Sequence, residues 1–85
     1  MDIRSIQKND FNLGYLNLLK QLSLINENKI SFDKFKNFIE ILNDNHIIKV
    51  IEIDNKIVAT GTLFIENKIL HDFGKVGHIE DIVVD

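Results

Sequence analysis

Eighty-five residues with no cysteine, proline or tryptophan, 45% hydrophobic and a formal net charge of −3, amount to at most one small domain whose core must come from packing alone. Without cysteine there is neither a disulfide nor a thiolate metal site, and 10 Lys+Arg against 13 Asp+Glu leave no electrostatic footprint for nucleic acid or an anionic membrane. The opening Met1-Asp-Ile-Arg-Ser has no basic region leading into an apolar run, and no apolar run approaches the ~18 residues of a membrane span, so a cytoplasmic setting is expected. Arg4 is the only arginine, and Ile, Asn and Lys recur throughout, so a single Asn or Lys is a weak signal.

In chain order, Ile3 to Ile6 has the pattern of a short opening strand. Asp10 can cap a helix over roughly 10–25, because Phe11, Tyr15, Leu18, Leu19 and Leu22 recur on one helical face. Past the polar stretch Ile25-Asn-Glu-Asn-Lys29, Ser31 is a second N-cap and Asp33 suits the positive helix end. Phe32, Phe35, Phe38, Ile39 and Leu42 then make one apolar stripe to about Asn43, and the three phenylalanines read as core. Ile47 to Ile53 and Ile57 to Ile65, joined across Asp54-Asn55, predict a β-hairpin. Gly61 in its second arm marks a bulge or a close backbone approach. Gly77 to Val84 is a third extended segment, so the order is β-α-α-β-β-β. The chain ends at Asp85 directly after Ile82-Val-Val84, without the turn or cover that finishes a sheet, as if one domain, 1–85, were cut partway.

The run Gly77-His-Ile-Glu-Asp-Ile-Val-Val-Asp85 resembles the fourth strand of eukaryotic-type glucosamine 6-phosphate N-acetyltransferases, members of the GNAT acyltransferase superfamily. Val58 to His71, with its Ile-Glu-x-Lys-x-x-His run, is similar to the same family's third strand and the loop after it. The resemblance implies an α+β fold: the GNAT-like N-terminal half, with an antiparallel sheet, ending after the fourth strand. It also implies transfer of acetyl from acetyl-CoA, the co-substrate, to D-glucosamine 6-phosphate in UDP-N-acetylglucosamine biosynthesis, with no metal and with a homodimer. The Arg/Gln-x-x-Gly-x-Gly loop, whose backbone N–H groups hold the cofactor pyrophosphate in that family, is not found in the 85 residues.

The resemblance also assigns residues. Ser23, Lys68, Ile69, Leu70, His71, Glu80, Asp81 and Ile82 match positions that contact the sugar phosphate; a cation and an imidazole suit a phosphate and hydroxyls. Ile82, Val83 and Val84 match positions whose backbone pairs with the pantetheine arm, while their side chains read as core. Glu80 and Asp81 are adjacent, so a regular strand would send them to opposite faces and only a local bulge lets both approach one ligand. Taken alone, each has a plainer reading: strand-end acids, a solvated lysine, a surface histidine, a helix-surface serine. His78 carries no assigned role, and no general base is identified. The alternative function is a non-catalytic half-domain.

Overall fold

The computed structural model describes residues 2–69 and 74–85. Turn chemistry builds the centre of the sheet. Strands β2 (His46–Ile53) and β3 (Lys56–Asn67) are joined by Asp54 and Asn55 at φ 52° and 62°, the left-handed pair that a two-residue hairpin loop needs between right-twisting strands. Strand β1 (Asp2–Ser5) pairs antiparallel with β2, with Ile3 opposite Ile51, and β4 (Lys75–Val84) pairs antiparallel with β3. The order β1-β2-β3-β4 leaves β1 and β4 as edges. The expected antiparallel α+β architecture is thus observed.

The single helix expected over 10–25 is not. Residues Lys8–Leu13 form a 3-10 segment, Gly14 turns left-handed at φ 88°, and α1 (Tyr15–Leu19) is five residues long. Asp10, expected as an N-cap, is fully buried and serves other partners. Its carboxylate accepts the Gln7 N–H at 2.8 Å and a two-armed contact from the Arg4 guanidinium at 2.7 and 2.9 Å, while Arg4 also reaches Glu52 at 2.6 Å. The charge pairing holds residues 8–13 against β1 and β2, and a left-handed glycine at residue 14 lets the chain change direction. Leu22, expected on the buried face, lies beyond α1 and is exposed.

Helix α2 (Phe32–Glu40) starts as expected, the Lys34 N–H donating to Ser31 Oγ at 3.2 Å. It ends before Asn43, because Asn43 turns the chain into β2: its carbonyl accepts the His46 N–H at 2.9 Å and its side chain the Asn45 N–H at 2.8 Å. The phenylalanine stripe is core only at its centre. Phe35 is buried with Ile6, Tyr15, Leu18, Ile48, Val50, Ile57 and Val83, whereas Phe32 and Phe38 overhang and meet Phe11 and His46 edge-on at 5.7 and 6.0 Å. The opposite face of the sheet has no covering element among the described residues. Ile3, Ile79, Ile82 and Val84 stand 59–70% exposed there, around an apolar hollow of about 480 Å³.

Candidate active site

The centre of the candidate site is a register slip. Thr60 of β3 pairs with Val83 and Thr62 pairs with Glu80, so the single residue Gly61 faces both Asp81 and Ile82. This is the bulge that the adjacent acids require. The extra residue falls on β4, opposite the glycine, and Asp81 takes up the change at φ 52°, a left-handed conformation that Asp tolerates better than most residues. A Cβ on Gly61 would sit 3.6 Å from Ile82 Cγ1, which is ordinary contact, so the glycine is compatible with the bulge but is not forced by crowding.

The slip decides which way the acids face. Thr62 is buried on the helix-covered side, so its register partner Glu80 shares that side, while Ile79, Ile82 and Val84 line the open face. Asp81 makes itself felt on the helix side too. The Tyr15 phenol is pushed up from its ordinary pKa first by burial, against a lowering hydrogen bond with Thr60, and further by the charges of Asp81 and Asp10. Thr60 Oγ1 lies 3.1 Å from the Lys49 carbonyl, to which it donates, and 3.3 Å from the Tyr15 hydroxyl. Two exposed, adjacent carboxylates therefore flank the slip at the sheet edge, and Glu80 shares its side with the buried Thr60 and Tyr15 hydroxyls. They suit an amine and hydroxyls on a small ligand.

The edge of β4 supplies the second feature. No described strand pairs with its outer side, where outward N–H and C=O groups can meet an extended chain or an amide-bearing ligand arm. Of the three residues assigned there, only Val83 is core; Ile82 and Val84 are 59 and 70% exposed, which corrects the expectation that all three side chains are buried. The reason is that no described element covers the open face. The strand end is pinned by Asp85, whose carboxylate meets Lys56 Nζ at 2.8 Å and Gln21 Nε2 at 3.0 Å and is held below the usual carboxylate range by these two donors, Lys56 foremost.

At the other end of β3, Lys68 Nζ pairs with Glu66 at 2.8 Å and its backbone N–H donates to the Gly74 carbonyl at 2.8 Å; Ile69 is exposed. Leu70 and His71 lie outside the described residues. Ser23 is exposed in the turn after α1 instead of late in a helix, because that helix stops at Leu19. Among the described residues no three His, Asp or Glu side chains converge as a metal site. No described helix is long and apolar enough to cross a membrane. Two groupings escaped the sequence reading: the Arg4–Asp10–Glu52 network, which is long-range and left no local signal, and the Glu66–His78 contact at 3.2 Å, of which only the same-face pair Glu66-x-Lys68 was visible.

No family model matches the chain. It is 42% identical over 86 residues to the glucosamine 6-phosphate N-acetyltransferase of Arabidopsis thaliana, which covers 98% of this chain and 58% of that protein. The glucosamine 6-phosphate N-acetyltransferase 1 of Dictyostelium discoideum is 38% identical, over all of this chain and 55% of its own length. Among solved structures, the Arabidopsis enzyme superposes with a TM-score of 0.92 at 39% identity, across 99% of this chain and 59% of that one. An acetyltransferase of Trypanosoma brucei superposes at 0.84 with 28% identity, across 99% and 59%. The chain spans somewhat more than half the length of the curated relatives it matches. Along almost all of its own length, in sequence and in fold, it is a relative of the glucosamine 6-phosphate N-acetyltransferases and carries a GNAT-like α+β half-domain.

Proposed function

We propose that this chain supplies the acceptor-sugar side of an N-acetyltransferase that moves acetyl from acetyl-CoA to the amine of D-glucosamine 6-phosphate, in a cytoplasmic homodimer serving UDP-N-acetylglucosamine synthesis. In such a transfer the ammonium loses a proton, its lone pair attacks the thioester carbonyl, the C–N bond forms, and the C–S bond breaks as the thiol leaves. Most of the acceleration comes from orientation and from stabilising the developing oxyanion. Glu80 and Asp81 would hold the amine and hydroxyls of the sugar, Lys68 with Ile69, Leu70 and His71 the phosphate end, and Ser23 a further hydroxyl. The free edge at Ile82 to Val84 would hold the pantetheine arm. The observation that carries this reading is the β4 bulge, which breaks the regular alternation between the two adjacent carboxylates at an exposed edge.

The test is a chimera joining this chain to the part of the Arabidopsis relative that it does not span. Acetylation of glucosamine 6-phosphate is expected, with kcat/KM falling about 100-fold in Glu80→Gln and in Asp81→Asn at unchanged melting temperature. Wild-type turnover in both variants refutes the assignment. The second reading, a non-catalytic half-domain, is supported by an apolar face that no described element covers, beside a β4 edge that no described strand pairs. The isolated 85-residue chain is expected to show no calorimetric binding of acetyl-CoA, since its sequence has no pyrophosphate loop and strand pairing alone does not offset association entropy.

A further inference from the structure

The end of the β3–β4 pair carries an ionisable cluster that the proposed function leaves unused. Glu66 divides its carboxylate between two cations-in-waiting: Oε1 lies 2.8 Å from Lys68 Nζ and Oε2 lies 3.2 Å from His78 Nε2. Glu66 lies near the end of β3, Lys68 just beyond it folds its ammonium back onto that carboxylate, and His78 reaches across from β4, where its register partner is Phe64. The three side chains are 41–44% exposed, open to a ligand yet fixed by one shared acceptor. Because β4 is a sheet edge, the groups facing His78 come from β3, namely Glu66 and Phe64, and from its own strand, where Glu80 follows two residues on along the same face.

The charge of this cluster depends on the imidazole, the one side chain type here that ordinarily titrates between pH 5 and 8. With a neutral ring, Glu66 is balanced by Lys68 alone, and an incoming anion must compete with a full carboxylate for the ammonium. With a protonated ring, His78 shares Glu66 and the cluster has a net charge of +1. Glu66 is itself held below its ordinary carboxylate pKa by Lys68 first and His78 second, so it stays anionic through this range. We propose that His78, acting through Glu66, is a positioning residue that sets how available the Lys68 ammonium is to an anionic group, here the phosphate of a sugar phosphate. The proposal rests on Lys68 as a phosphate contact. One added charge a few ångströms away at a solvated site changes anion affinity about three- to tenfold.

The experiment titrates the chimera of this chain with the part of the Arabidopsis relative that it does not span, using glucosamine 6-phosphate followed by NMR at pH 5.5 and 7.5, in the unsubstituted form (wild type below), His78→Asn, Glu66→Gln and Lys68→Ala. Comparing variants at one pH cancels the titration of the phosphate itself. The charge of the His78 ring is read at each pH from its ring proton shifts, and wild type is expected to gain three- to tenfold on His78→Asn where the ring is charged and to match it where the ring is neutral. Glu66→Gln, which frees Lys68 at every pH, is expected to bind tightly at both. If His78→Asn follows the wild-type pH profile while Lys68→Ala abolishes binding, the role of His78 is overturned and that of Lys68 stands. If Lys68→Ala binds as wild type does, or if wild type binds at neither pH, the Lys68 reading fails and the role of His78 with it.

Discussion

The two faces of the sheet are built from similar residues and meet different fates. On the helix side Ile48, Val50, Ile57 and Val83 are sealed beneath Tyr15, Leu18 and Phe35; on the other side Ile3, Ile79, Ile82 and Val84 face outward around a hollow in which Lys49 is the only charged residue. Identical chemistry therefore contributes stability on one face and a liability for association on the other, because the hydrophobic effect scales with the area removed from water and not with residue type. The difference also places the site. Glu80 lies toward the helix side with its register partner Thr62, away from the apolar hollow, so that hollow and this carboxylate are on opposite faces.

The contrast can be broken hardest at its buried centre. Ile57→Ala, at a fully buried position, is expected to cost about 3–4 kcal/mol in a denaturant melt, enough to unfold a marginal domain, while Ile82→Ala on the open face should change it by less than about 0.5 kcal/mol. Equal effects would mean that the open face is covered in solution. Next in size, Asp10→Asn removes the buried charge that meets the Arg4 guanidinium, leaving Glu52 as its one described carboxylate, and should cost about 2–3 kcal/mol by the same melt.

A smaller effect concerns Tyr15. Its folded pKa is raised, so the protonated phenol is the form the fold prefers. That contribution is complete below the ordinary tyrosine value of about 10 and is lost as pH rises above it. Tyr15→Phe should cost about 1 kcal/mol at neutral pH and flatten the alkaline limb of a thermal melt followed against pH. A steep limb in the variant would assign the loss to lysines.

Smallest in stability and most telling for the open face is Ile79→Lys with Ile82→Lys. Melting is expected to change little, whereas size-exclusion chromatography should shift from self-associated species toward monomer, since the wild-type face and the free β4 edge together favour association. A wild-type monomer with a sharp cooperative transition would show that the face is tolerated exposed.

Much of this was legible in the residues. Asp54-Asn55 specified the hairpin because two left-handed positions in a row admit few residues; Ser31 specified the start of α2 because a hydroxyl there satisfies an otherwise orphaned amide; Gly61 marked the level of the bulge. These are local preferences, settled within a few residues of chain. Tertiary structure alone decided the rest. Asp10 became a buried acceptor of Arg4, whose guanidinium also meets Glu52, 48 residues away; a long amphipathic pattern broke at Gly14 because the chain had to turn onto the sheet; Phe32 and Phe38 overhang because a nine-residue helix seats only its middle on the core. Glu80 and Asp81 were visible as a pair, but the break in their alternation depends on a one-residue slip against β3, and register is a property of two strands that neither sequence segment holds by itself.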